Sequence, residues 1–255
     1  MSRSVRLWLF LSAGAVIAVA FAAACTGLPH FGTPVHPYGD RAVAAALSRR
    51  TANTVSSVNF DLRAFDTLGE ESILFGAVLG ATLLLRLARD ERKEWPEAER
   101  VLPSTRLFGA LLLPVTLLTG VYIVAHGQLT PGGGFQGGVV LATGLHLAYV
   151  AADYRVLKQV RPLAVLDVAD AVAAGAFTAL GVAGLVVAGA FLANFLPLGT
   201  FDRLSSAGLV PVLNAAVGVE VGSGVIVLLA HFLDQAVEIT GGGPARTRFD
   251  PPEPE

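Results

Sequence analysis

One carboxylate lies deep within an apolar segment of this sequence. Glu220 is near the centre of the apolar run 209–232, about ten residues from each end. A charge at the centre of a membrane span costs roughly 2.5 to 3.5 kcal/mol, so such a residue usually faces a bundle interior, a partner or a hydrated path. Burial favours the neutral form of a carboxyl, which suits a group that takes up and releases protons. The alternative is a neutral or paired carboxyl that only joins two helices.

Three further ionisable residues are candidates for ion transport. His146 lies in another apolar run and titrates near neutrality, so it is a candidate proton relay; a buried histidine bonded to a backbone carbonyl is the alternative. Asp66 and Glu70 are four residues apart and share one helical face, where they would form an acidic mouth that collects cations at the membrane surface. Thr67 and Glu70 also match a capping box, which would require no transport function.

A glycine-rich stretch connects two apolar runs, and its residues are Thr130, Pro131, Gly132, Gly133, Gly134, Phe135, Gln136, Gly137 and Gly138. We expect Thr130 to be the N-cap of a helix and Pro131 its first residue. Gly134 and Gly138 form a small-xxx-small pattern, which allows another helix to approach closely. That contact would lie within the chain, against a neighbouring subunit, or in a re-entrant loop that lines an ion or water path.

The apolar segments predict the elements that position these residues. Hydrophobic residues make up 53% of the 255 and charged residues 15%, whereas charged residues are about a quarter of a soluble domain. Crossing a bilayer requires roughly 20 apolar residues, and we expect spans at 7–24, 73–87, 107–125, 139–152, 168–192 and 209–232. The sequence therefore predicts an all-α integral membrane helical bundle of about six transmembrane helices. Asp167 and Asp170 would lie at the start of the fifth span, where a helix N-terminus favours carboxylates.

Charged segments divide the chain and predict its orientation. We expect a two-span module at 1–88, a charged linker at 89–105, a four-span domain at 106–234 and a tail at 235–255. Of the 18 Lys and Arg residues, 13 fall on the side of the N-terminus in this topology. The positive-inside rule then places the linker, the tail and both termini in the cytoplasm.

The composition argues against several classes of function. A net charge of -2 with dispersed basic residues predicts no nucleic-acid partner. The single Cys25 excludes a disulfide within the chain and a cysteine metal site, and His30 and His36 have no third ligand at suitable spacing. There is no nucleophile with a base at useful spacing and no phosphate-binding loop in the right context. We therefore predict no enzyme activity, no cofactor and no metal.

The glycine-rich stretch and its flanking spans resemble a known family. From Arg106 to Asp234, with TPGGGFQGG at the hairpin, the chain resembles the B subunit (MnhB) of the Mrp multisubunit cation/proton antiporters. Residues 28–87, and particularly FDTLGE at 65–70, resemble the segment that ends the large A subunit of these complexes. The same segment occurs as a separate small subunit in membrane-bound hydrogenases. The chain thus resembles a fusion of the two modules.

The resemblance implies an accessory transporter subunit in a bacterial or archaeal cytoplasmic membrane, within a complex that exchanges sodium ions for protons. Its implied partners are the other Mrp subunits and membrane lipid, and larger subunits would carry the main proton channels. Asp66 and Glu70 would then line the outer mouth of an ion path, with Glu220 and His146 at depth. Two alternatives are a non-transporting assembly scaffold and the antiporter-like module of a redox-driven respiratory or hydrogenase complex.

Overall fold

The computed structural model describes residues 3–28, 32, 36–85, 101–151 and 163–233. This part of the chain contains eight α-helices and no strand. They are α1 (Arg3–Thr26), α2 (Pro37–Ser48), α3 (Thr54–Ser57), α4 (Ala64–Leu84), α5 (Pro103–Ala125), α6 (Gly134–Ala151), α7 (Leu163–Ala188) and α8 (Val210–Leu233). A five-residue π-helix, Val58–Leu62, lies between α3 and α4.

The six expected spans correspond to α1, α4, α5, α6, α7 and α8. Five of these helices are long and apolar enough to cross a membrane, namely α1, α4, α5, α7 and α8. The remaining one, α6, has 18 residues in the described part of the chain. The prediction of an all-α membrane helical bundle is confirmed.

The chain forms two compact units, one up to Arg41 and one from Ala42 onwards. In the first unit, α1 has no buried residue. The second unit contains α4 to α8. Most of the predicted linker at 89–105 and the whole tail at 235–255 lie outside the described residues, so the division into two modules stays a prediction.

Helix α8 is the central helix of the second unit. It contacts α4, α5, α6 and α7, and 61% of its most apolar stretch is buried. Leu213, Val217 and Val221 follow one another along its buried side and belong to a core that includes Phe177 of α7 and Phe60 of the π-helix. The polar side chains of Asn214, Glu220 and Ser223 on α8 are buried inside the protein.

The glycine-rich stretch packs two helices closely against α6. A Cβ added at Gly138 would lie 2.8 Å from the Cβ of Val221 and 2.9 Å from the carbonyl oxygen of Gly218, both on α8. At Gly134 it would lie 2.6 Å from the Cβ of Val217. Gly137 faces α5 on the other side of the helix. Real Cβ atoms do not approach this closely, so the glycines set the separation of these helices within the chain.

Three connecting segments meet at one end of the second unit: residues 42–63, 126–133 and 189–209. We call this the capped end. The Asn53 amide donates to the carbonyl oxygens of Gly127 and Thr130, at 2.8 Å each. The Gln128 amide donates to the carbonyl oxygen of Leu204 at 2.9 Å. These bonds join all three segments, and α4, α6 and α8 begin here while α5 and α7 end here.

The start of α6 differs from the prediction. Thr130 is not its N-cap and Pro131 is not its first residue, because the helix begins at Gly134. Gly132 and Gly133 have φ values of 131° and 138°, which a helix cannot contain and which favour glycine. The Gly134 N–H donates to Oδ1 of Asn214 on α8 at 2.9 Å. A side chain distant in sequence therefore supplies the cap.

The capping box predicted at Thr67 and Glu70 is also wrong. Helix α4 begins earlier, at Ala64, so Thr67 lies within its first turns. Its hydroxyl donates to the carbonyl oxygen of Asn59 in the π-helix at 2.8 Å. The chain is already helical before Thr67. The Thr67 hydroxyl therefore connects the π-helix to α4 and does not cap the start of a helix.

Candidate functional site

Glu220 lies in the protein interior at mid-depth of α8. Its side chain is 0% exposed. It is ten residues beyond Val210, which is about 15 Å along the helix at 1.5 Å per residue. Neither carboxyl oxygen has a hydrogen-bond partner in the described part of the chain. Buried polar groups without a partner are costly, so this carboxyl is a candidate functional group.

A second buried carboxyl, that of Glu71 on α4, faces Glu220. Glu71 is 1% exposed, and neither of its oxygens has a donor among the described residues. The two carboxyl groups lie within hydrogen-bonding reach of each other. Sequence reasoning selected the adjacent Glu70 and missed Glu71. Thr67, Glu71 and Val78 lie on one stripe of α4 and are all buried, but the sequence alone does not show which stripe of the helix faces α8.

Asp170 on α7 is a third buried carboxylate. It is 5% exposed, and its Oδ1 has no partner in the described part of the chain. A Cβ added at Gly224 would lie 3.4 Å from this oxygen, so the carboxylate packs against α8 one turn beyond Glu220. The predicted fifth span began at residue 168, whereas α7 already includes Leu163. Asp170 is therefore two turns inside a helix and not at its start, which corrects the prediction.

The three carboxylates are staggered along the bundle, and we call Glu71, Glu220 and Asp170 the carboxylate series. At 1.5 Å per residue, Glu71 lies about 10 Å and Glu220 about 15 Å from the capped end. Asp170 packs against Gly224, which lies about 21 Å from the capped end along α8. They are not gathered around one point: the described residues contain no group of three or more acidic, His or Cys residues able to hold a metal ion. A staggered order suits stepwise transfer of an ion across about 30 Å of hydrocarbon.

A cleft of about 310 Å³ opens between α4 and α7 beside this series. Glu71 and Ser72 line one wall, and Ala171, Gly175 and Thr178 line the other. The small side chains of α7 leave the space open. The cleft is large enough for several water molecules, and the buried side chain of Glu71 borders it.

Asp66 and Glu70, the predicted outer mouth, lie on the exposed side of α4 near the capped end. Asp66 forms an ion pair with Arg63, and their side chains are 50% and 62% exposed. Such a pair contributes little to stability. The structure does not bring Asp66 to Glu220, whereas Glu70 precedes Glu71 directly and adds negative charge near it.

His146, the predicted proton relay, lies on α6. It is half-buried, and its Nε2 has no hydrogen-bond partner among the described residues. No hydrogen bond joins His146 to Glu71 or Glu220 in the described structure. The structure therefore does not bring His146 into the carboxylate series.

Another carboxylate, Asp61, lies at the capped end beside a recess of about 470 Å³ whose wall includes Arg49, Arg63 and Asn194. The Asn194 amide donates to Oδ1 of Asp61 at 2.9 Å, and Oδ2 is buried without a partner in the described structure. Burial raises the pKa of Asp61, while the hydrogen bond from Asn194 and the positive charge of Arg49 oppose that rise. Asp61 precedes Glu71 by ten residues, so it lies on the solvent side of the carboxylate series.

Comparisons with known proteins agree with this architecture. Residues 104–227 match a family described as a domain related to the MnhB subunit of Na+/H+ antiporters. The chain is 31% identical to protein MJ1307 of Methanocaldococcus jannaschii over 201 aligned residues. The aligned region covers 68% of this chain and 73% of MJ1307.

Two solved membrane complexes contain similar chains. One is the membrane-bound sulfane sulfur reductase, an archaeal respiratory membrane complex, with a TM-score of 0.68 and 26% identity over 90% of this chain and 98% of the other. The other is the Mrp complex from Dietzia sp. DQ12-45-1b, with a TM-score of 0.66 and 24% identity over 96% of this chain and 27% of the other. The second likeness is one of fold alone.

A bundle of membrane-spanning helices with a buried carboxylate on each of three helices defines a multi-pass membrane subunit of the antiporter type. The glycine-rich hairpin between α5 and α6 lies inside the matched region. The chain belongs to the family of proteins with a domain related to the MnhB subunit of Na+/H+ antiporters.

Proposed function

We propose that this chain is an accessory subunit of a multisubunit antiporter that exchanges a monovalent cation, sodium, for protons across a bacterial or archaeal cytoplasmic membrane. The observation that carries the proposal is the carboxylate series, in which Glu71, Glu220 and Asp170 follow one another through the bundle interior. The series forms one wall of the ion path, and the other subunits of the complex complete the path. Both termini are cytoplasmic, so the capped end faces outwards.

The carboxylates are assigned to transport because burying them without hydrogen-bond donors costs free energy of folding. Each oxygen of Glu71 and Glu220 is buried without a donor from the described residues. Bundle stability would be better served by apolar side chains of similar size, since unpaired buried polar groups each cost about 1 to 3 kcal/mol. A role in moving ions accounts for all three carboxylates at this depth.

The test is sodium-dependent proton flux in vesicles that contain the whole complex. Glu220→Gln should abolish most of the flux while the complex assembles as in wild type, because the amide fills the same space but cannot exchange a proton. The matched control is Asp202→Asn, an exposed residue at the capped end whose φ of 62° asparagine also tolerates. Undiminished flux in Glu220→Gln would overturn the proposal.

Asp66 and Glu70 form the outer mouth in this proposal. Both are exposed near the capped end, where they would raise the local concentration of cations before the cations enter the path. Solvent and salt screen exposed charges, so Asp66→Asn with Glu70→Gln should raise the KM for sodium by a few-fold and leave the maximal flux intact. An unchanged KM at low ionic strength would remove these residues from the path.

A second candidate function is the antiporter-like module of a redox-driven respiratory complex. The similarity to a chain of the sulfane sulfur reductase, which covers 98% of that chain, favours it. The composition of the complex separates the two functions: an affinity tag on this chain would co-purify iron-sulfur proteins in the second case and only other membrane subunits in the first.

A non-transporting scaffold is the third reading. Leucine at Gly134 and Gly138 would not test it cleanly, because both glycines pack against α8 inside this chain. Those substitutions would disturb the fold of the subunit itself, so they do not distinguish scaffold from transporter. Intact flux in Glu220→Gln together with intact assembly would favour the scaffold.

A further inference from the structure

We infer that the Glu71 and Glu220 carboxyls hold a single proton between them, so that this pair is a proton site and not a sodium site. The inference rests on the proposed function and specifies which ion this part of the path carries. It stands on the placement of two buried side chains from two helices, and on what surrounds them.

The surroundings of the pair contain acceptors and no donors. All four carboxyl oxygens are buried and receive no hydrogen bond from the described residues. The charged groups that act on Glu71 are Glu220, Glu70 on its own helix and Asp170 on α7, all of them carboxyls. No ion pair joins either member of the pair to a Lys, Arg or His of the described chain.

Two ionised carboxylates in contact repel each other strongly at low dielectric, and one of them then binds a proton. That proton turns the repulsion into an O–H···O hydrogen bond between an acid and a carboxylate, which is among the strongest hydrogen bonds in proteins. One proton therefore satisfies the pair, and no other donor in the described structure does.

A sodium ion would need more ligands than the pair offers. Hard cations in proteins are surrounded by about six oxygen ligands, drawn from carboxylates, carbonyls, hydroxyls and water. The described residues contain no group of three or more His, Cys, Asp or Glu side chains that could hold a metal ion, so the pair has no further carboxylate ligand at the same point.

The cleft between α4 and α7 gives this proton a route. Glu71 lines the cleft, so it can take a proton from water there. The proton then crosses the hydrogen bond to Glu220 as the first carboxyl becomes ionised. Asp170 of α7, which packs against α8 one turn beyond Glu220, is the next acceptor in the series. Each step moves one proton and breaks no other covalent bond.

Infrared spectroscopy of the whole complex, purified through a tag on this chain, tests the inference. At neutral pH in sodium-free buffer, wild type should show a protonated-carboxyl band that shifts in D₂O. Both Glu71→Gln and Glu220→Gln should lose the band, because the glutamine amide donates to the remaining carboxylate and lets it ionise. Glu71→Asp, which keeps the acid on a shorter side chain, should retain a band at a shifted frequency, and Asp202→Asn should retain the wild-type band.

Sodium distinguishes the two kinds of site. Saturating sodium at constant pH should leave the wild-type band unchanged, because sodium does not displace the proton. Absence of the band in wild type, its persistence in Glu71→Gln and Glu220→Gln, or its loss on addition of sodium would each overturn the inference. The proposed function is tested separately. It fails if Glu220→Gln has undiminished sodium-dependent proton flux, even when the infrared band is present in wild type, lost in both glutamine variants and unchanged by sodium.

Discussion

The close contact of α6 with α8 predicts opposite effects for the same substitution at two glycines. Gly138→Ala places a methyl group 2.8 Å from the Cβ of Val221, 2.9 Å from the carbonyl oxygen of Gly218 and 3.0 Å from the backbone nitrogen of Gly222. Two of these three neighbours are backbone atoms, which cannot rotate away. We expect overpacking near the upper end of its usual range, about 3 kcal/mol. The gain of helix propensity offsets up to about 1 kcal/mol, so the variant should lose about 2 kcal/mol.

Gly80→Ala is the matched control. Gly80 lies inside α4, and a Cβ added there meets no atom within 4 Å. Only the propensity gain of up to about 1 kcal/mol applies, so the two variants should differ by about 3 kcal/mol. For a chain of this size that corresponds to a difference in Tm on the order of 10 °C. Thermal unfolding of the detergent-solubilised complex, followed by size-exclusion chromatography, measures it. Gly138→Ala at least as stable as wild type would refute the argument that glycine sets the distance between α6 and α8.

Two further substitutions probe the capped end. Asn214→Ala leaves the buried Gly134 N–H without its acceptor and should destabilise the chain by about 1 to 3 kcal/mol. The control, Asn59→Ala, should change Tm little. Equal losses of Tm in the two variants would contradict the capping role of Asn214. Because the pKa of Asp61 is raised above 3.8, the stability linked to it is present below that pH and is lost as pH rises through the raised pKa. Asp61→Asn, still able to accept from Asn194, should therefore gain Tm relative to wild type as pH rises above 3.8. A pH-independent difference would count against the burial argument.

The sequence predicted the spans and the depth of Glu220 well, because both depend on local composition. A long apolar run is helical in a membrane whatever its neighbours are, since every backbone group must be satisfied within the segment. A carboxylate at the middle of such a run is deep by length alone. For the same reason the hairpin between α5 and α6 could be located from its glycines.

The choice between Glu70 and Glu71 could not be made in this way. Adjacent residues point about 100° apart on a helix, so helical phase decides which carboxylate is buried. The helix begins at Ala64, and the preceding π-helix, Val58–Leu62, shows no pattern that local rules would recognise. Contact with α8 decides the phase, and that contact involves residues about 150 positions away.

The N-cap of α6 shows the same limit. Thr130 and Pro131 satisfy the local rule for a helix start, but the Gly134 N–H already has a partner in Asn214, eighty residues further on. Tertiary structure thus replaced the local cap. Asp170 was misjudged because a boundary error of five residues in the fifth span placed it at a helix end, where carboxylates need no further explanation.

The most direct test of the carboxylate series as an ion path is a double-mutant cycle in sodium-dependent proton flux. Wild type, Glu71→Gln, Glu220→Gln and the double variant are compared in vesicles with equal amounts of assembled complex. The account predicts that each single variant loses most of the flux and that the double variant loses no more, because the two carboxyls act as one unit. Single variants as active as wild type, or losses that add in the double variant, would contradict it.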